Sequence, residues 1–165
     1  MDKTFVNKLK ESTSIPDIFE IVKDIVWKTI KRSRAGLDLG LIELGNHPQG
    51  FLGAYYVSGS NIIVMNETPL KRIQETNPNL LVPYIFSVLL HEYLHSLGIF
   101  NERKVKELTY EICCEVFGEN SVISEISRDM RKFFPNFIYP EGAPKIDGPI
   151  KLVKDFDKSN IRYIG

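Results

Sequence analysis

An apolar helical stretch that carries three ionisable side chains constrains this chain more than any other feature. Between Val82 and Leu97 the residues are mostly apolar, Pro83 is tolerated in the first turn, and Gly98 supplies the stop. Inside that stretch stand His91, Glu92 and His95, spaced as H-E-x-x-H. Burying three such groups is costly unless an ion or a water compensates them. Positions i and i+4 of a helix lie one turn apart on the same face, so His91 and His95 can present both imidazoles to one tetrahedral metal. Glu92 is offset from that face by about 100°, near enough to act on a water at the metal without being a ligand. From this chain's composition the motif would arise by chance in roughly 0.4% of such sequences. Two of the three histidines sit in it. The rival reading is a pair of core histidines satisfied by hydrogen bonds, with Glu92 as their partner.

The rest of the chain limits the setting. At 165 residues and 43% hydrophobic, it makes one domain whose core needs neither disulfides nor repeats. The 21 basic and 21 acidic side chains cancel, which excludes the basic excess of a nucleic-acid binder. The longest apolar run, Leu80 to Leu90, is too short for a bilayer, which needs about 18 apolar residues, and no apolar signal core follows the N-terminus. Cys113 and Cys114 are adjacent, where a bridge would be strained, so a reducing, cytoplasmic compartment is expected.

Ser14, with Asp17 three residues on, opens a helix expected from Ile15 to Ser33 with one face buried. Gly45 to Gly50 reads as a loop. Ala54 to Val57 and Asn61 to Met65 flank Ser58-Gly59-Ser60 as a β-hairpin, and the small sheet is expected to be mainly antiparallel. A short helix ends near Thr76. Beyond the H-E-x-x-H helix, Asn101 caps a helix from Glu102 to Phe117, and another runs from Ser121 to Phe134. The last stretch, 135–165, is Pro-punctuated and mostly extended.

This order of backing helix, small sheet, H-E-x-x-H helix and following helix resembles the zincin metallopeptidases over residues 15 to 118. The resemblance implies an α+β zincin-like fold in a single domain, 1–134, with 135–165 docked on it. It also implies zinc (Zn2+) bound by His91 and His95, Glu92 as general base and then proton donor, and a peptide or unfolded protein as substrate. No nucleic acid and no membrane partner are expected.

In metzincins the motif continues past the glycine to a His or Asp, but that position here is Asn101, a helix cap and a poor zinc ligand. Gluzincins take a Glu from the following helix, where this chain offers Glu102, Glu107, Glu111 and Glu115. With two antiparallel helices and side chains leaning toward each N-terminus, Glu111 is expected to reach the metal, with Glu107, Glu102 and Asn101 as alternatives. Asn61 to Met65 is the expected edge strand for an extended peptide. His47, Tyr84, Tyr93 and Tyr110 are candidate oxyanion donors, and Cys113 is a ligand only if the second helix is rotated. The 135–165 tail either completes the core or covers the cleft; on the second reading, removing it leaves a folded, more active domain.

Overall fold

A computed structural model of the chain describes residues 2–44, 50–139 and 149–157. The architecture is mixed α+β. Helix α1 (Lys3–Glu11) starts where Asp2 accepts the Thr4 N–H at 3.0 Å, and it buries Phe5 and Leu9, one turn apart. Sequence reading passes over it because its few apolar residues are scattered among lysines. Helix α2 (Ile15–Ile30) is capped by the Ser14 hydroxyl as expected. It ends short of Ser33 because Lys31 turns left-handed, with φ 55°.

Strands β1 (Asp38–Ile42), β3 (Ala54–Tyr56), β4 (Ile62–Asn66) and β6 (Lys151–Leu152) form one sheet in the order β3-β4-β1-β6, while β2 (Phe51–Leu52) pairs β5 (Phe137–Ile138). The β3–β4 hairpin is antiparallel, with Ala54 opposite Met65, and β6 is antiparallel to β1. The β1–β4 pair is parallel, Gly40 opposite Val64, so the four-stranded sheet is mixed with two of its three pairings antiparallel, and the separate β2–β5 pair is parallel. The cause is topological. Strand β3 returns antiparallel to β1 with one strand position between them, and the tight turn at 58–60 sends β4 back into that gap. Strand β4, expected at the edge, is therefore interior, and the edge strands of this sheet are β3 and β6.

Asn66 caps helix α3 (Glu67–Thr76), and a single 3-10 turn at Pro78–Leu80 leads into α4 (Leu81–Ser96). Every residue of α4 from Tyr84 to Leu94 is buried, because α2, β3, α5 (Glu102–Phe117) and α6 (Val122–Arg128) pack around it. Burial of each large apolar side chain in this helix contributes about 1.5–3 kcal/mol. The expected helix from Ser121 to Phe134 breaks at extended Asp129 into α6 and α7 (Met130–Phe133).

The described tail is built into this core. Phe137 and Phe156 belong to the same apolar cluster as α2 and α4, and Phe156 stacks on Phe19 at 4.0 Å. Next to it, buried Asp157 accepts a hydrogen bond from Lys23 Nζ at 2.5 Å and from the Gly36 and Leu37 N–H groups at 3.0 and 3.3 Å. Deleting everything after Phe134 would thus remove core side chains, which favours the reading in which the tail completes the core. Ile150 and Leu152 are exposed. Ile161, Tyr163 and Ile164 lie outside the described residues. No helix among the described residues is long and apolar enough to cross a membrane, and both cysteines are free.

Candidate metal centre

The C-terminal half of α4 carries the three ionisable groups of the motif. His91 and Glu92 are buried and His95 is half-buried. The two imidazoles are on one face, their centroids 4.9 Å apart. Gly98, at φ 95°, lets the chain reverse at once after the helix. Asn101 then caps α5 by accepting the Lys104 N–H at 2.9 Å, which occupies its side chain as a cap. The first residue of α5, Glu102, lies against both histidines: its Oε1 is 2.5 Å from His91 Nε2 and its Oε2 2.9 Å from His95 Nε2. One ligand atom from each of the three side chains lies within 4.8 Å of the others, and this is the one such cluster among the described residues.

Glu111 is not at this centre. It is exposed, nine residues and so about 180° around α5 from Glu102. The face of α5 toward the histidines runs through Glu102, Lys106 and Thr109 to Cys113, whereas Glu111 flanks the apolar stripe on the other side. Depth along two ideally antiparallel helices is the wrong guide here, because the tight reversal at 97–101 brings the very start of α5 to the imidazoles. Glu107 is exposed and pairs with Arg103 at 3.5 Å.

The donor set suits zinc. Two imidazole nitrogens and a carboxylate are what a catalytic zinc takes while leaving a fourth position open. His95 Nδ1 lies 2.8 Å from the Ile99 carbonyl, so it carries a proton, and a cation that displaces any proton on Nε2 takes the lone pair there. Burial pushes His91 below its ordinary pKa despite the Glu102 contact. At His95 burial pushes the same way but is outweighed by the Glu102 hydrogen bond, the Glu92 charge and the Ile99 carbonyl, so its pKa is raised. Burial would raise Glu102, yet its bonds to both imidazoles hold it well below the usual carboxylate range.

Glu92 reaches past the ligands to strand β3. Burial pushes its pKa up to about 8, and the Tyr56 backbone N–H partly offsets this. A divalent cation on the three ligand atoms would draw it down again. Arg34 fixes that strand: its guanidinium donates to Tyr56 Oη at 2.9 Å, to the Ser60 carbonyl at 2.7 Å and to the Ser96 carbonyl at 2.8 Å. The hairpin and the end of α4 are tied together on either side of Glu92.

Beside His91 and Glu92 is a cavity of about 10 Å³, bounded by Ala54, Thr109, Lys106 and Tyr139. It has room for about one water. Tyr139 and Lys106 are site residues that sequence reading misses. The Tyr139 ring lies 5.1 Å from that of His91, and Lys106 Nζ sits 3.9 Å from the centre of the Tyr139 ring. A larger cavity of about 370 Å³, between α3 and residues 133–136, has Arg72 as its one charged side chain and offers no ligand set.

The other candidates face elsewhere. Tyr93 packs edge-on against Phe19, and its hydroxyl accepts the Arg34 N–H at 2.9 Å. The Tyr84 hydroxyl is buried with no partner among the described residues. Tyr110 bonds Cys114. Cys113 contacts Ser127 Oγ at 3.1 Å, and burial pushes its thiol up to about 12, an inert core residue. His47 lies outside the described residues. Compared with protein-family models, with curated proteins and with solved structures, the chain matches none of them.

Proposed function

We propose that this chain is a zinc-dependent peptidase with a zincin-like fold, hydrolysing peptides or unfolded protein segments in a cytoplasm. The observation that carries the reading is the convergence of His91 Nε2, His95 Nε2 and the Glu102 carboxylate on one point, with a buried fourth ionisable group, Glu92, beside them. A purely structural zinc site needs no such neighbour. His91, His95 and Glu102 are the ligands. When bound, zinc supplies a Lewis acid that acidifies water toward neutral pH and polarises a carbonyl oxygen.

The chain's own groups do the remaining work. The Glu92 carboxylate takes a proton from a water in the small cavity and returns it to the leaving amine. The Tyr56 N–H and the Arg34 clamp hold Glu92 and β3 in register. The edge of β3 is where an extended peptide pairs by backbone hydrogen bonds.

Glu92→Gln tests this directly, because it removes the base and leaves the three ligands. The variant is expected to bind about one zinc per chain and to cut a labelled, unstructured protein at least about 100-fold more slowly than wild type. Cleavage at the wild-type rate would overturn the mechanism. The small size of the cavity favours one second reading, a zinc-binding protein that uses the centre for structure or partner binding. It is separated by the same assay: zinc is retained and nothing is cleaved by either protein.

A further inference from the structure

Residues 51–56 form an extended run with two edges. Successive residues of a strand turn their N–H and C=O groups to opposite edges. The Leu52 carbonyl accepts from Asn66 Nδ2 and the Gly53 carbonyl from the Asn66 N–H, each at 2.9 Å, so the alternation breaks between β2 and β3 and both of these residues turn toward the end of β4. Phe51, one residue before, faces the other way, and its N–H donates to the Asn136 carbonyl at 2.7 Å. Strand β5 therefore lies on the outer edge, the one that the four-stranded sheet leaves open.

The register Phe51 opposite Phe137 and Leu52 opposite Ile138 carries Tyr139 forward alongside Gly53, toward β3 and Glu92. There its ring covers His91. The ladder is two residue pairs long. Gly53 accommodates the cover closely: a Cβ at this position would lie 2.6 Å from Phe137 Cε2 and 2.8 Å from Tyr84 Oη. That Tyr84 hydroxyl is buried without a partner, an unsatisfied group beneath the segment. An extended peptide added to this edge would run where residues 137–139 now run.

We propose that the outer edge of residues 51–56 binds an extended peptide, and that Ile138-Tyr139, running on from the buried Phe137, is its intramolecular occupant, which a substrate must displace. The proposal deepens the peptidase reading and rests on it for the fate of the peptide. The ligand class follows from the occupant: an uncharged, extended segment that lays an aromatic side chain against His91. The self-bound segment lowers apparent affinity by the fraction of molecules in which it is open.

The test uses the full chain loaded with zinc, as wild type, Tyr139→Ala and Gly53→Ala. The second substitution leaves the ligands untouched and crowds Phe137. Two quantities are read: the rate at which a chelator removes zinc, and the affinity for a fluorescein-labelled hexapeptide containing Phe-Ile-Tyr. Zinc loss is expected to speed up about tenfold or more in each variant, and peptide affinity to rise about tenfold or more in Tyr139→Ala alone, because a Cβ at position 53 crowds an added peptide as it crowds Phe137. Folded variants with both quantities unchanged would overturn the proposal. Independently of any variant, saturating wild type with the hexapeptide should speed hydrogen exchange at the Ile138 and Tyr139 amides; unchanged protection there also overturns it. Raised affinity and faster zinc loss with no cleavage by any of the three proteins would support the occupant and reject the peptidase reading.

Discussion

The tail touches the rest of the molecule in two places, and they are built differently. At 156–157 a stacked Phe and a buried Asp enter the core, and each of their polar groups has a partner: Lys23 and two backbone amides meet Asp157, and Phe19 meets Phe156. At 137–139 the contact is a two-pair ladder, an aromatic ring laid over His91, and a tyrosine hydroxyl left without a partner below it. The first contact holds the fold and the second closes the candidate centre. One segment of chain thus serves stability at one end and access at the other.

Removing the whole tail is the harshest way to break that comparison. A chain ending at Phe134 loses Phe137, Phe156 and Asp157 from the interior and leaves Lys23 without its 2.5 Å carboxylate. It is expected to lose its cooperative melt, measured by circular dichroism. A folded, cooperative truncation would return the tail to the status of a removable cover.

Single substitutions sharpen the comparison. Phe156→Ala empties a site stacked on Phe19 and is expected to cost about 3–5 kcal/mol in urea denaturation. Tyr139→Ala, at a half-buried position, is expected to cost about 1 kcal/mol or less. Equal losses would mean that 137–139 is as structural as 156–157.

A further effect is pH dependence confined to the site end. The raised pKa of His95 means that protons hold its Nε2 to a higher pH than at an ordinary histidine, and zinc must displace them. Zinc affinity is therefore expected to fall as pH drops through the His95 titration, by about tenfold per unit for one displaced proton. Isothermal titration at several pH values reads it. An affinity independent of pH across that range would remove His95 from the ligand set.

What sequence could and could not reveal follows the range of the interactions involved. The ends of α2 and α5 are written locally in Ser14, Asn101 and Gly118, and the H-E-x-x-H spacing alone puts two imidazoles on one face. Strands β2 and β5 are two residues each and exist only through pairing across 86 positions, Phe51 to Phe137, which no local pattern encodes. For the same reason Tyr139 carries no local mark of its place over His91. Glu102 was within reach. As the first residue after the Asn101 cap, it lies close to the reversal that follows His95, a proximity that ideal helix depth, which points to Glu111, does not contain.

The central claim is that His91, His95 and Glu102 form one zinc centre. Its most direct test is zinc titration of the purified chain beside Glu102→Ala and Glu111→Ala, read by a competing metal indicator. One zinc per chain is expected for wild type and Glu111→Ala at equal affinity, with Glu102→Ala weaker by about 100-fold or more, beyond the 10–100-fold usual for residues that merely support ligands. Equal affinity for all three, or a loss in Glu111→Ala alone, would contradict it.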